Sequence, residues 1–180
     1  GSDVYKRQGK RGGAWMSNFR EQAGDVRPLI YNVASFTKPA GDMPSLLTLD
    51  EVETMFHEFG HALHGMLTKC NSLGVSGTNV AQDFVELPSQ IMEHWAVEPE
   101  VLKVYAKHYK TGEVIPDELI WKIQDQNTFN QGFMTTELSA AALLDMELHN
   151  LTDTASLDVV AFKKAVMDKL GLIPEIAPRY

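Results

Sequence analysis

Two histidines and a glutamate in one short segment have the types and spacing of a metal site that does chemistry. His57 and His61 are four residues apart, and Glu58 directly follows the first histidine. Residues i and i+4 of a helix lie on the same face, so the two imidazoles would converge on one point. A zinc ion held there would have Glu58 beside it and not bound to it. This arrangement suits a general base that acts on water.

Glu86 is the candidate third ligand. It lies 25 residues beyond His61, far enough for the chain to turn and run a second helix past the first. Two histidines and one glutamate are the ligands of many catalytic zinc sites, in which water takes the fourth position. Gln90 and Glu93 follow at i+4 and i+7, where they would orient the histidine rings by accepting their outer N–H groups. The alternative is an ordinary amphipathic helix with two histidines, facing a solvated helix.

The helix that would carry the histidines has a clear start signal. Thr48 followed by Glu51 fits a capping box, and acidic residues in the first turn suit the helix dipole. The pattern predicts a helix that begins at residue 49 or 50 and ends at about residue 66 or 67. Gly60 inside it is unfavourable by roughly 1 kcal/mol relative to alanine. A glycine there is explained if another backbone or a substrate must come close.

The remaining segments predict a mainly α fold with a short β and loop segment at the N-terminal end. Residues 9–48 are rich in glycine and proline and contain short apolar runs, which favour one or two strands. Helical patterns follow at 80–95, with a kink or turn at Pro88, from Pro99 as far as Gly112, from Pro116, over 133–148 and over 157–170.

Composition bounds the partners and the compartment. The net charge of −8 argues against nucleic acid or an anionic membrane as the main partner, since both favour a basic face. Cys70 is the only cysteine and forms no internal disulfide, which is compatible with a reducing compartment. We therefore expect a cytoplasmic protein, with the periplasm as the alternative.

Several stretches resemble the thimet oligopeptidase family of zinc metallopeptidases, and most closely its bacterial peptidyl-dipeptidase branch. They are H-E-F-G-H-A-L-H, S-G-T and D-F-V-E-L-P-S-Q, extended by K-R-G-G-A-W-M, R-P-L-I-Y-N-V and E-H-W-A. The resemblance implies that His57, His61 and Glu86 bind one Zn²⁺ per chain and that Glu58 is catalytic. It also implies short peptide substrates and a zincin-like helical catalytic core.

The length and the first residues predict a partial protein. Gly1-Ser2 resembles a cloning scar and residues 3–8 resemble a sequencing adapter, so we set residues 1–8 apart from the fold. Family members run to several hundred residues, with lobes on both sides of this region. We therefore expect residues 9–180 to be a catalytic domain truncated at both ends, which binds zinc but has little or no peptidase activity alone.

Three functions remain open at this point. The first is release of dipeptides from peptide C-termini in the complete protein, and the second is internal cleavage of short peptides by the same chemistry. The third is a non-catalytic helical module that binds metal. Glu58 beside an open metal position favours an enzyme. We expect the remaining histidines and Cys70 to lie outside the site: His64, His94, His108 and His149.

Overall fold

The computed structural model describes residues 1–176 and residue 178. The chain divides into two compact units, the first covering Gly1–Ile123 and the second beginning at Gln124. In order, the elements are β1 (Ser2–Tyr5), β2 (Trp15–Arg20), β3 (Leu29–Phe36), α1 (Leu49–Leu67), a short 3₁₀ turn (Leu73–Val75), α2 (Leu87–Ala96), α3 (Pro99–Tyr105), α4 (Asp117–Thr128), α5 (Gln131–His149) and α6 (Val159–Leu170). The mainly α fold with N-terminal strands is confirmed.

The three strands form one sheet in which β3 is central. β2 pairs antiparallel with β3, so that Trp15 lies opposite Val33, and β1 pairs parallel with its other edge. The strands β2 and β3 contain the apolar runs that predicted them. Residues 1–8 are not separate from this fold, because Ser2–Tyr5 is β1 and pairs with β3. Their origin in a cloning adapter stays a prediction.

The helix α1 begins as its sequence predicts. The Glu51 amide donates to Thr48 Oγ1 at 3.2 Å, and the Thr48 amide donates to Glu51 Oε2 at 2.9 Å, which completes the capping box. The helix then runs over Leu49–Leu67 and packs against both the sheet and α2. It is the central element of the first unit.

Gly60 lies at a close contact between α1 and α2. A Cβ added at Gly60 would lie 2.6 Å from Ser89 Cα and 2.7 Å from the Pro88 carbonyl oxygen. These distances are far below van der Waals contact, so only glycine permits this packing. The expectation that another backbone approaches Gly60 is confirmed.

Two helices are shorter than their patterns predict. Residues 80–86 form turns, and α2 begins at Leu87, with Pro88 in its first turn where a missing N–H is harmless. Helix α3 ends at Tyr105, because residues 106–115 turn back through a Lys107–Val114 bridge. Gly112 has a φ of 73° in that turn, a conformation that ends regular helix.

The second unit consists largely of α5 packed on α6. Asp158 caps α6 by accepting the Val160 and Ala161 amides at 3.0 Å, and Gly171 ends it with a φ of 65°. Within residues 1–176, no helix is both long enough and apolar enough to cross a membrane.

Candidate metal centre

The two predicted histidine ligands lie one turn apart on α1. Their ring centroids are 4.8 Å apart and the ring planes are nearly perpendicular, at 81°. His61 is 9% exposed, whereas His57 is half-buried. Both Nε2 atoms face the start of α2, because Gly60 allows that helix to pack directly against α1.

Glu86 meets both histidines from the start of α2. Its Oε2 lies 3.2 Å from His57 Nε2 and 3.1 Å from His61 Nε2. One ligand atom from each of the three residues lies within 4.8 Å of the other two. The structure therefore brings together the three residues that the sequence predicts as ligands.

Glu93 determines the tautomer of His57. Its Oε1 lies 2.5 Å from His57 Nδ1, and because a carboxylate only accepts, Nδ1 carries the proton. The Nε2 of a neutral His57 then has a lone pair that faces Glu86 Oε2 with no proton between them. A cation removes this repulsion, and two imidazole nitrogens with one carboxylate oxygen suit zinc. The residues present thus fit the implied metal.

In His61 the ring proton lies on the opposite nitrogen from that in His57. Its Nδ1 is buried and has no acceptor among the described residues, so its N–H lies on Nε2 and donates to Glu86. Burial lowers the pKa of His61, against the opposing effect of Glu86, and favours the neutral ring that a metal requires. A metal ion bound at His61 Nε2 would take the place of the N–H between His61 and Glu86, and the ring proton would move to Nδ1.

Unlike Glu93, Gln90 does not contact a histidine ring. Its side chain is exposed, and in residues 1–176 no hydrogen bond joins it to either histidine. Its backbone amide instead donates to the Glu86 carbonyl oxygen at 2.9 Å, as in any helical first turn. Of the two residues predicted to orient the rings, only Glu93 contacts a ring in the structure, that of His57.

Glu58 is buried beside the histidines. It is 8% exposed, its Oε2 is buried without a hydrogen-bond partner among the described residues, and the nearby Met16 N–H of β2 is a minor influence that lowers its pKa. Burial raises the pKa of Glu58, His57 opposes this effect and Glu86 adds to it. A carboxylate with one free oxygen and a raised proton affinity is suited to accept a proton.

Glu86 has the opposite environment. The Ser89 hydroxyl donates to its Oε2 at 2.8 Å, and this bond is the main cause of the lowered pKa of Glu86. The pKa values of the two neighbouring carboxyl groups are thus shifted in opposite directions. That of Glu58 is raised, which favours the protonated form, and that of Glu86 is lowered, which favours the charged form. Such a pair separates the role of base from the role of ligand.

A cleft of about 420 Å³ opens beside His57 and Glu58 and gives the site access to solvent. Its wall is mainly polar and acidic, formed by Ala14, Asp50, Glu53, Thr54, His57, Glu58 and Glu93. Burial raises the pKa of Glu53, and Asp50 and Glu93 add to the effect. The cleft therefore concentrates negative potential, which attracts a cation to the histidines.

Sequence reasoning missed two groups that contact the site. Ser89 stands three residues after Glu86, a spacing that could have identified it, since i and i+3 are neighbours in a helical turn. The Met16 amide carries no such signal, because only the packing of the sheet on α1 brings it to Glu58.

The remaining histidines lie outside the metal group, as expected. His94 is exposed on α2, His108 contacts Thr111, and His149 pairs with Asp145. His64 is nearer but stacks edge-on at 6.1 Å from Phe84.

Comparison with known proteins assigns the chain to a family. The model of Peptidase family M3 matches residues 2–179, and the chain belongs to that family. Dipeptidyl carboxypeptidase from Escherichia coli (strain K12) is 47% identical over 182 residues, which cover 99% of this chain and 27% of that protein. Oligopeptidase A from the same organism is 43% identical over 153 residues, covering 82% of this chain and 22% of that protein. The chain spans about a quarter of the length of these curated relatives.

Proposed function

We propose that this chain is the metal-binding catalytic region of a zinc peptidase that acts on short peptides. The observation that carries the proposal is the meeting of two imidazole nitrogens and a carboxylate oxygen beside a second, buried carboxylate with a free oxygen. His57, His61 and Glu86 would hold one zinc ion. When bound, zinc supplies a Lewis acid that acidifies water and polarises the peptide carbonyl.

Glu58 is the proposed general base and acid. Its free Oε2 accepts a proton as water oxygen bonds to the carbonyl carbon, and the same proton passes to the amine as the C–N bond breaks. Burial raises the proton affinity of Glu58, so it is a stronger base than a solvated glutamate.

Glu93 acts through His57. By holding the proton on His57 Nδ1, it keeps the Nε2 lone pair directed at the metal position. A residue in this position also raises the basicity of the ring and thus strengthens its bond to a metal.

Among the activities of the family, we favour the release of C-terminal dipeptides as the activity of the complete protein. The relatives named dipeptidyl carboxypeptidase match 99% of this chain at 45–47% identity, whereas oligopeptidase A of E. coli matches 82% at 43%. Internal cleavage of short peptides is the second candidate. Peptides with a free and an amidated C-terminus separate the two, because only an enzyme that recognises the terminal carboxylate discriminates strongly between them.

The first experiment is the zinc content of the wild-type chain and of Glu86→Ala after chelation and re-addition of zinc. We expect about one zinc per wild-type chain and strong loss in the variant, because a three-ligand catalytic site loses one ligand. A folded wild-type chain without zinc would contradict the metal site.

Catalysis is tested separately on the same protein. We expect the chain to have little or no peptidase activity by itself, so single-turnover assays at high protein concentration are needed. Residual hydrolysis that disappears in Glu58→Gln while zinc remains bound would support the mechanism. A zinc-loaded chain whose hydrolysis is unchanged by that substitution would favour the non-catalytic module.

A further inference from the structure

Ser89 is a completely buried hydroxyl in contact with the proposed metal ligand. It is 0% exposed, and its Oγ lies 2.8 Å from Glu86 Oε2 and 2.9 Å from the Glu86 carbonyl oxygen. The carboxylate oxygen that it contacts is the one that faces both histidines. Both acceptors near the hydroxyl, the carboxylate oxygen and the carbonyl oxygen, belong to Glu86. The hydroxyl proton therefore points to that residue whichever oxygen accepts it.

Packing alone does not hold the Glu86 side chain. That side chain is 47% exposed and has three rotatable bonds, so its carboxylate needs fixed polar contacts to stay in one position. Two N–H or O–H groups serve this purpose without metal: the His61 ring and the Ser89 hydroxyl. With a metal at His61 Nε2, that nitrogen would no longer donate to Glu86, so the bond from Ser89 would be the one that persists.

Ser89 is itself fixed relative to the histidines. Its Cα lies against Gly60, so close that a Cβ there would be 2.6 Å away, and Gly60 directly precedes His61 on α1. Although Ser89 belongs to α2, the position of its hydroxyl is therefore set by α1, which carries the histidines. It transmits that position to Glu86 through one hydrogen bond.

We propose that Ser89 is a positioning residue that holds the Glu86 carboxylate in the orientation for metal binding. The inference rests on the proposed metal site. Removing a group that orients a metal ligand typically lowers metal affinity by about 10–100-fold. We expect this loss in Ser89→Ala, because the hydroxyl holds one lone pair of Oε2 and leaves the other toward the rings.

The test is a double-mutant cycle on zinc affinity, measured by competition with a chromophoric chelator. Ser89→Ala, Glu86→Ala and the double variant are compared with wild type, and Ser72→Ala is the control for an exposed serine of the same unit. A role through Glu86 predicts that Ser89→Ala has little further effect once Glu86 is alanine. A merely structural role would lower affinity equally in both backgrounds and would overturn the proposal.

The outcomes separate this inference from the proposed function. If Glu86→Ala does not lower affinity, the metal site itself is wrong. If Glu86→Ala lowers it and a folded Ser89→Ala does not, only the role of Ser89 is wrong. Thermal melting of each metal-free variant reports folding, and Ser89→Gly, which removes the same hydroxyl and adds no bulk, repeats the test if Ser89→Ala does not fold.

Discussion

The contact of α1 with α2 and the contact of α5 with α6 show two ways of pairing helices in one chain. In the first, glycine lets two backbones touch, and buried polar groups meet at the contact. In the second, α5 buries only Ala140 and Leu144 and leaves large apolar side chains such as Leu138 exposed. Close backbone contact fixes side chains to within fractions of an ångström, which a metal site needs, whereas looser packing of apolar side chains does not.

The largest difference between the two pairs should appear in metal binding. His61→Ala on α1 should reduce bound zinc from about one per chain to near zero at micromolar protein, because a catalytic site needs three protein ligands. His149→Ala on α5, where the ring pairs with Asp145 in solvent, should leave zinc content unchanged. Elemental analysis measures both. Equal loss in the two variants would mean that zinc binds nonspecifically to histidines.

Glu58→Gln should give the next largest effect. Removal of a general base lowers turnover by about 10²–10⁴-fold. Zinc affinity should stay near that of wild type, because Glu58 is not one of the three grouped ligands. Single-turnover peptide cleavage and chelator competition on the same sample test this separation. A parallel loss of zinc would show that Glu58 supports the metal and would weaken its role as base.

A glycine comparison tests the two helix pairs directly. Gly60→Ala places a Cβ 2.6 Å from Ser89 Cα and should lower the free energy of unfolding by about 1–3 kcal/mol, as overpacking does. Gly132→Ala on α5 meets nothing within 4 Å and should raise it by up to about 1 kcal/mol through helix propensity. Urea unfolding measures both. A neutral Gly60→Ala would mean that α2 moves away readily.

Glu58→Gln should also raise the thermal stability of the metal-free chain at neutral pH. Burial raises the pKa of Glu58 above its unfolded value, so the folded state binds more protons and loses stability as pH rises through that range. Glutamine does not ionise, so the variant does not lose stability in this way. The difference in stability between the variant and wild type should vanish at pH values below the ordinary pKa of glutamate. Thermal melting of both proteins at acidic and at neutral pH measures the difference, and equal melting temperatures at neutral pH would contradict it.

The smallest effect is expected on the open face of α5. Leu138 is 67% exposed, so Leu138→Gln should change the free energy of unfolding by no more than about 0.5 kcal/mol. Urea unfolding of the chain measures it. A loss of several kcal/mol would show that this face is covered in solution.

The sequence predicted best where a signal is local. The capping box of Thr48 and Glu51 located the start of α1, and the spacing of His57 and His61 predicted that their rings converge. The 25 residues before Glu86 predicted its return to the histidines, although its role as a ligand stays a proposal.

What the sequence could not predict depends on packing between distant segments. The β1 pairing joins two distant segments within the sheet, and the Met16 amide comes near Glu58 only when the sheet packs on α1. Gln90 stays exposed although it stands on the same face of α2 as Glu93, which reaches His57 one turn further along. Helical spacing alone therefore does not decide which of two residues on one face contacts a ring on another helix.

The chain between His61 and Glu86 is a loop closed at its ends by the proposed ligands. An ion shared between those ends would act as a removable cross-link, which stabilises the folded chain because the unfolded chain does not hold the three ligands together. Cys70 is the only cysteine, so an internal disulfide bond is excluded and the metal would take over that role. The strength of this cross-link would follow the supply of metal and not the redox state of the surroundings, so a chelator would loosen the first unit under conditions in which a reductant would not.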